Sequence, residues 1–270
     1  MSPSTDEIAT FAREIRKTSV RMCIGRGQGY VGQALGLADI MAYLYLRAMR
    51  STPGGYYKDR LVLSTGHSAI AIFATLGCLG LYDESELVTY GMPGSRIEES
   101  PLEGTQGFEV TGGSLGQGLS QAVGLALGER FRGNDTTIFC IISDGELQEG
   151  QVWEAAMSAG HHKAANLVVL IDNNRMQADG DTAHVMTVEP IHDKFAAFGF
   201  DVDRIDAHDL AQIEAAIPVG GTSRERPVAI VCDTVPGKGS PTIENYRKVH
   251  YVRADSEVWQ QALAELDARA

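Results

Sequence analysis

Apolar positions along the chain follow two rhythms. In the first half the spacing is helical. Ile8, Phe11, Ile15 and Met22 predict a helix over residues 6–24, and Ser4-x-x-Glu7 predicts a capping box at its start. Leu37, Ile40, Met41, Leu44, Tyr45 and Ala48 repeat the pattern, with Pro53-Gly54-Gly55 as its stop. Leu61–Leu63 reads as a short strand, leading through Thr65-Gly66-His67 into an apolar helix that reaches Leu81. Asp83-x-x-Glu86 opens another short helix, and residues 91–112, rich in turn formers, read as a long loop. The second half is more regular. Helices over 114–131, 150–164 and 209–217 alternate with strands at Ile138–Ile142, Leu167–Ile171, Phe200–Ile205 and Val228–Cys232. Ile138–Ile142 and Leu167–Ile171 are unbroken apolar runs, as expected of strands buried on both faces. Strands alternating with helices predict an α/β fold: a doubly wound, mostly parallel sheet flanked by helices. Val258, Ala262, Leu263 and Leu266 add a last amphipathic helix, and no repeat or linker divides residues 1–270, so a single domain is expected.

Composition narrows the function classes. The 270 residues carry 23 basic and 35 acidic side chains, a formal net charge of −12, so no whole-molecule basic footprint for nucleic acid exists. An apolar content of 44 % with 21 % charged residues is that of a folded chain. No apolar run approaches the ~18–20 residues of a membrane span, and the first residues lack a signal-peptide core. Cys23, Cys78, Cys140 and Cys232 lie among apolar neighbours without metal-site spacing, which predicts buried free thiols and a cytoplasmic setting. Many of the thirty glycines sit in short clusters, a sign of backbone that turns sharply or lies against something.

Ligands of open parallel sheets bind at the carboxyl ends of the strands. The two most apolar strands end in Ser143-Asp144-Gly145-Glu146 and Asp172-Asn173-Asn174-Arg175-Met176. Asp144 and Asn174 are thirty residues apart, about one βαβ unit, so neighbouring strands would bring them to one crevice. Either motif alone reads as a plain turn. Together they supply hard oxygen donors for Mg²⁺ or Ca²⁺, whose remaining ligands come from a bound phosphate and water. Gly116, Ser120, Gly124 and Gly128, spaced by four, predict a small-residue stripe for a close helix contact. His161 and His162, adjacent and about 100° apart on a helix, cannot form an i,i+4 metal pair and read as surface.

An Asp-Gly followed thirty residues later by Asn, each after an apolar strand, resembles the thiamine diphosphate fingerprint. The wider segment SDGELQEGQVWEAAMSAGHHKAANLVVLIDNN resembles transketolases, as do GLADIMAYLY, KDRLVLSTGHSAI, EVTGGSLGQGLSQAVGLALGERF, EPIHDKFAAFGFDV and PGKGSPTIENYRKVH, in the family's order over roughly residues 10–265. The resemblance implies the family's diphosphate-binding (PP) domain. It implies that Asp144, Asn174 and the Met176 carbonyl hold the metal on thiamine diphosphate, with Gly145 beside the diphosphate. Gly113 and Leu115 would contact the pyrimidine ring, and Ala178 flanks the cofactor. His67 and His250, the latter eleven residues beyond Gly239, would stand near the reacting carbons, and Glu149 would help relay a proton between paired sites. The family's complete enzymes carry further domains, so the resemblance implies the amino-terminal subunit of a split enzyme. Its partner would be a separate carboxyl-terminal subunit in an α2β2 heterotetramer, moving a two-carbon unit from a ketose to an aldehyde. The alternatives are a non-catalytic subunit, or half of another thiamine enzyme that decarboxylates a 2-oxoacid or makes a deoxyxylulose phosphate.

Three departures bear on the substrate. Tyr30 stands where the family has a histidine, Glu98-Glu99-Ser100-Pro101 replaces a histidine-containing loop, and Val249-His250-Tyr251 replaces Trp-His-Gly. Glu99 is expected to repel an anionic substrate, which points away from the usual pentose phosphates.

Overall fold

In a computed structural model, which describes residues 3–52 and 57–268, the apolar runs lie side by side. Strands β1 (Arg60–Leu63), β2 (Ile138–Ser143), β3 (Leu167–Asn173), β4 (Asp201–Asp206) and β5 (Val228–Asp233) form one sheet of order β1-β2-β3-β5-β4. Every pairing in it is parallel. The side-chain period of two divides each central strand between two cores. Phe139, Ile141, Val168 and Leu170 join helices α1 (Thr5–Ile24), α2 (Val31–Tyr43) and α3 (Ala69–Cys78) on one face. Ile138, Cys140, Ile142, Val169 and Ile171 join α4 (Gln117–Phe131), α5 (Gly150–His161) and α6 (Ile191–Ala197) on the other. Both faces are covered, which is why these strands show no polar alternation. Edge strand β4 is mostly exposed and charged, a composition that blunts sheet extension. Helix α7 (Leu210–Ala216) joins β4 to β5, and α8 (Ser256–Asp267) packs on α1.

The capping box forms as expected: Ser4 Oγ accepts from the Glu7 amide and the Glu7 carboxylate accepts from the Ser4 amide. The second helix continues as a wider turn through Leu44–Ala48. Its expected stop at Pro53-Gly54-Gly55 lies outside the described residues. Helix α3 ends at Cys78 instead of Leu81, because Gly80 takes a left-handed backbone (φ +78°) that closes the turn. Between Val88 and Gly116 the chain has neither helix nor strand, the long loop anticipated. Cys23, Cys140 and Cys232 are buried and Cys78 partly so, all as free thiols. No helix among the described residues is long and apolar enough to cross a membrane.

The small-residue stripe is not a continuous packing seam within the chain. Gly116, at its start, lies close to its neighbours, an added Cβ standing 2.9 Å from the Glu149 Cβ, but the stripe opens beyond it. Ser120 and Gly124 are exposed, and a Cβ on Gly124 or Gly128 would meet nothing within 4 Å. The closest approach inside α4 is made by Gly118, where an added Cβ would lie 2.4 Å from the Ser64 Cβ. Spacing identifies a helix face without saying which way it turns.

Candidate active site

Strands β2 and β3 are neighbours, and Ser143 pairs with Asp172 at their tips. The Asp144 amide still donates to the Asp172 carbonyl (3.0 Å), so Asp144 is held in register as the chain leaves the sheet. Its carboxylate, fully buried, accepts from the Gly145 amide (3.0 Å) and the Thr182 hydroxyl (3.1 Å). Beyond β3 the chain turns through Arg175, whose left-handed backbone (φ +61°) is uncommon for a side chain of that size. The turn is tied by the Asn174 amide oxygen, which accepts from the Met176 amide (2.9 Å), while Asn174 Nδ2 donates to Asp172 (2.8 Å). Met176–Gln177 then pairs with Gly180–Asp181, and this hairpin brings Thr182 back to Asp144.

Of the ten residues expected at the site, eight line one cleft of about 420 Å³: His67, Gly113, Leu115, Gly145, Glu149, Met176, Ala178 and His250. Asp144 and Asn174 lie buried at the strand tips beside it, one residue from Gly145 and two from Met176. The turn carrying His67 can reach the cleft because Gly66 has no side chain: a Cβ there would lie 2.2 Å from the Gly113 nitrogen. The imidazoles of His67 and His250 are 5.3 Å apart between centroids. Tyr30, the residue before α2, packs its ring against both (5.0 and 5.7 Å) and against Tyr251 (4.7 Å). Gln33 Nε2 lies 2.8 Å from His250 Nδ1 and 3.0 Å from the His250 carbonyl oxygen. An atom facing a carbonyl must donate, so Nδ1 accepts and the proton sits on Nε2. Burial, reinforced by His250, lowers the His67 pKa to about 4, and burial lowers His250 as well. Both rings therefore favour the neutral form at pH 7.

The acidic side is the electrostatic opposite. Burial pushes Asp144 and Asp172 well above the usual carboxylate range, and the charge of Asp172 raises Asp144 further. Hydrogen bonds from Thr234 and Asn174 only partly offset this at Asp172. No basic side chain forms an ion pair with either carboxylate among the described residues. A divalent cation suits this donor set. The set holds one carboxylate, one amide oxygen with a spare lone pair and the carbonyl of Met176, which would lie 3.8 Å from a Cβ on Gly145. No group of three His, Cys, Asp or Glu gathers among the described residues, so a cation here would take its remaining ligands from other oxygen donors, such as water or a bound phosphate.

Three residues the sequence did not single out complete the site. Thr182 and Thr234 hold the two aspartates. Glu146, fully buried, accepts from Ser64 Oγ (2.6 Å) and from the amides of Gly116 (2.7 Å) and Ser143 (3.0 Å), pinning three loops that frame the cleft. One expectation is corrected. Glu99 is not a free charge facing the substrate: Arg26 pairs with it at 2.6 Å and the Tyr251 hydroxyl donates to the same oxygen (2.9 Å). His161 and His162 are exposed, as expected.

The family described as the thiamine diphosphate binding domain of transketolase matches residues 8–262. The chain belongs to the transketolase family. It is 37 % identical to the 6-deoxy-6-sulfo-D-fructose transketolase subunit SqwG of Clostridium sp., over 99 % of this chain and 98 % of that protein. It is 32 % identical to an apulose-4-phosphate transketolase subunit of Phocaeicola vulgatus, over 94 % of this chain and 92 % of that one. Transketolase from Campylobacter jejuni superposes with a TM-score of 0.86 at 29 % identity, covering 98 % of this chain. The chain spans 43 % of that transketolase's length.

Proposed function

We propose that this chain is the diphosphate-holding subunit of a two-component transketolase, transferring a two-carbon ketol unit from a ketose to an aldehyde when paired with a separate subunit. The supporting observation is the pair of strand tips that brings Asp144 and Asn174 together around buried acidic groups with no basic partner. In this reading Asp144, Asn174 and the Met176 carbonyl hold Mg²⁺ (or Ca²⁺) against the diphosphate of thiamine diphosphate. Gly145 lets the backbone approach it, and Gly113, Leu115 and Ala178 border its rings. Thiamine diphosphate, when bound, supplies the carbanion stabilisation that ketol transfer needs. His67 and His250, neutral at pH 7, orient substrate oxygens by hydrogen bonds and move protons there without adding fixed charge. His250 offers its Nε2–H as donor. Glu149, exposed at the start of α5, would in this reading pass a proton toward a neighbouring subunit. The partner reading rests on relatives of matching length that are themselves named as subunits. Those names also mention a sulfo and a phosphate group, so a sugar with an anionic end is the substrate class we infer.

Binding tests the reading directly. Thiamine diphosphate with Mg²⁺, each near 100 times its dissociation constant, should stabilise the assembled protein by about 2.7 kcal/mol in thermal unfolding. Chelation, Asp144→Asn and Asn174→Ala should each abolish the effect. Stabilisation of equal size in Asp144→Asn, or without any metal, would refute the assignment.

A further inference from the structure

One buried polar side chain stands behind the wall of the cleft without lining it. Gln33, in the first turn of α2, is only 3 % exposed. Its amide nitrogen serves a single residue 217 positions away, facing both Nδ1 and the carbonyl oxygen of His250. Its own oxygen, Oε1, is buried and has no hydrogen-bond partner among the described residues. An unsatisfied buried acceptor costs about 1–3 kcal/mol. A methionine of the same length would fill the space without that penalty, so stability alone does not account for a glutamine here. The backbone is arranged to deliver the contact. Gly32 has no side chain, and a Cβ there would lie 2.3 Å from the Val249 carbonyl oxygen, so the 249–250 backbone lies directly against the helix start. The Gly237 amide donates to the Gly32 carbonyl (2.8 Å), and Val249 is buried. Gln28–Gly29 pairs antiparallel with Val252–Arg253, and the Ala254 amide donates to the Gly27 carbonyl (3.0 Å). Tyr30 then meets the His250 ring edge-on, at 88° between planes. These contacts fix where the ring sits but not which nitrogen carries its proton. Among the described residues only Gln33 hydrogen-bonds to the imidazole.

We propose that Gln33 is a positioning residue for ketol transfer, whose amide fixes the tautomer and ring plane of His250 so that Nε2–H is the edge offered to substrate. This rests on the ketol-transfer reading and adds to it the residue that decides whether His250 gives or takes a hydrogen bond. A neutral imidazole has one donor and one acceptor nitrogen, and the partner at one sets the role of the other. The lock works in one direction only. Turning the Gln33 amide round would set its oxygen against the His250 carbonyl oxygen, two acceptors face to face. Nδ1 is therefore confined to accepting, and Nε2 to donating, for as long as the ring is neutral. The two contacts from one amide also tie the imidazole to its own backbone, which removes rotation about the side chain as a way out.

Nitrogen NMR of the full chain tests the lock without cofactor, partner or turnover. In the parent, the Gln33 side-chain amide should show a scalar coupling across the hydrogen bond to His250 Nδ1, with the ring in the single Nε2–H tautomer. Gln33→Met should abolish the coupling and let the Nδ1–H tautomer appear. Gln33→Glu, which sets an acceptor against Nδ1, should draw the proton there; if it does not fold, Gln33→Met decides alone. In the assembled enzyme Gln33→Met should lower kcat about tenfold, the effect of one misdirected hydrogen bond, with KM and thiamine diphosphate affinity unchanged. Absence of the coupling in the parent, a ring that keeps the single Nε2–H tautomer in Gln33→Met, or a changed tautomer with kcat intact would overturn the proposal. Loss of thiamine diphosphate affinity in Gln33→Met would overturn it too, because Gln33 would then belong to the cofactor site. The expected coupling and tautomer shift in a protein that transfers no ketol unit would instead count against the ketol-transfer reading and leave the lock standing.

Discussion

Two buried acidic centres in this chain have opposite solutions to the same electrostatic problem. On the helical side, Asp39 of α2 accepts from both terminal guanidinium nitrogens of Arg16 of α1 and from His208 Nδ1 at 2.9 Å. His208 Nε2 in turn accepts from the Val235 amide (2.9 Å). Burial would raise the Asp39 carboxyl, but the His208 hydrogen bond and the Arg16 guanidinium outweigh it and hold it below the usual range. At the tips of β2 and β3, Asp144 and Asp172 are as deeply buried and have only neutral donors. Their carboxyls are displaced upward instead. A buried charge is stable when the chain supplies its counter-charge. Where the chain withholds it, the group either takes a proton or meets a charge from outside the chain, and perturbed titration in a cleft makes such a place a candidate site.

The largest effects should separate the two centres by sign. Asp39→Ala leaves Arg16 buried without its carboxylate and is expected to cost about 3–5 kcal/mol in chemical denaturation. Asp144→Asn removes one of two neighbouring acidic groups. It is expected to leave the metal-free stability unchanged or raise it by up to about 1 kcal/mol, since each pKa unit corresponds to about 1.4 kcal/mol. A loss of several kcal/mol in metal-free Asp144→Asn would mean that the strand tips need no external cation, and the contrast would fail.

Glu146 sharpens the comparison because it is buried, acidic and two residues from Asp144, yet it has three donors aimed at it. Burial raises its carboxyl, and those donors partly offset the rise. Glu146→Gln turns an acceptor into a group whose amide faces the same donors, at an expected cost of about 1–3 kcal/mol with or without metal. A cost that appears only when Mg²⁺ and cofactor are present would place Glu146 with Asp144 as part of the ligand site.

The His67 ring gives a pH signature. Its folded pKa, about 4, lies below the ordinary value of 6.5, so the unfolded chain binds the proton more tightly. Its contribution to stability is therefore complete above about pH 6.5 and is lost as the pH falls toward 4. Thermal midpoints measured across that window should fall less steeply in His67→Asn than in the parent. Equal slopes would mean that His67 is not held neutral by burial.

What the sequence disclosed was what neighbours in sequence decide. Unbroken apolar runs announced strands covered on both faces, and Asp144 and Asn174, each following such a run, came to adjacent tips because β2 and β3 pair in register. Contacts made across long separations left no local trace. Ser64 and Gly116 reach Glu146 from 82 and 30 residues away, and His208 reaches Asp39 from 169. Arg26 meets Glu99 across 73 residues, which is why a neutralised carboxylate read as a repelling one. The four-residue stripe on α4 failed for a different reason. Periodicity reports that one side of a helix is small, and only packing shows whether that side meets the core.

That stripe supplies the smallest and most local prediction. Gly124 lies inside α4, is exposed, and has open space where a Cβ would stand. A glycine in a helix interior loses more backbone freedom on folding than alanine does, by roughly 0.5–1 kcal/mol. With no contact to disturb, Gly124→Ala should stabilise the isolated chain by about that amount, read as a shift of the denaturation midpoint at unchanged slope. Gly118→Ala, on the same helix six residues earlier, should do the reverse because its Cβ would collide with Ser64. If Gly124→Ala instead destabilised the isolated chain, its surroundings would be tighter than the open side of α4 described above. If it stabilised the chain but weakened assembly with a partner subunit, the smooth face would be a seam after all, closed by another protein.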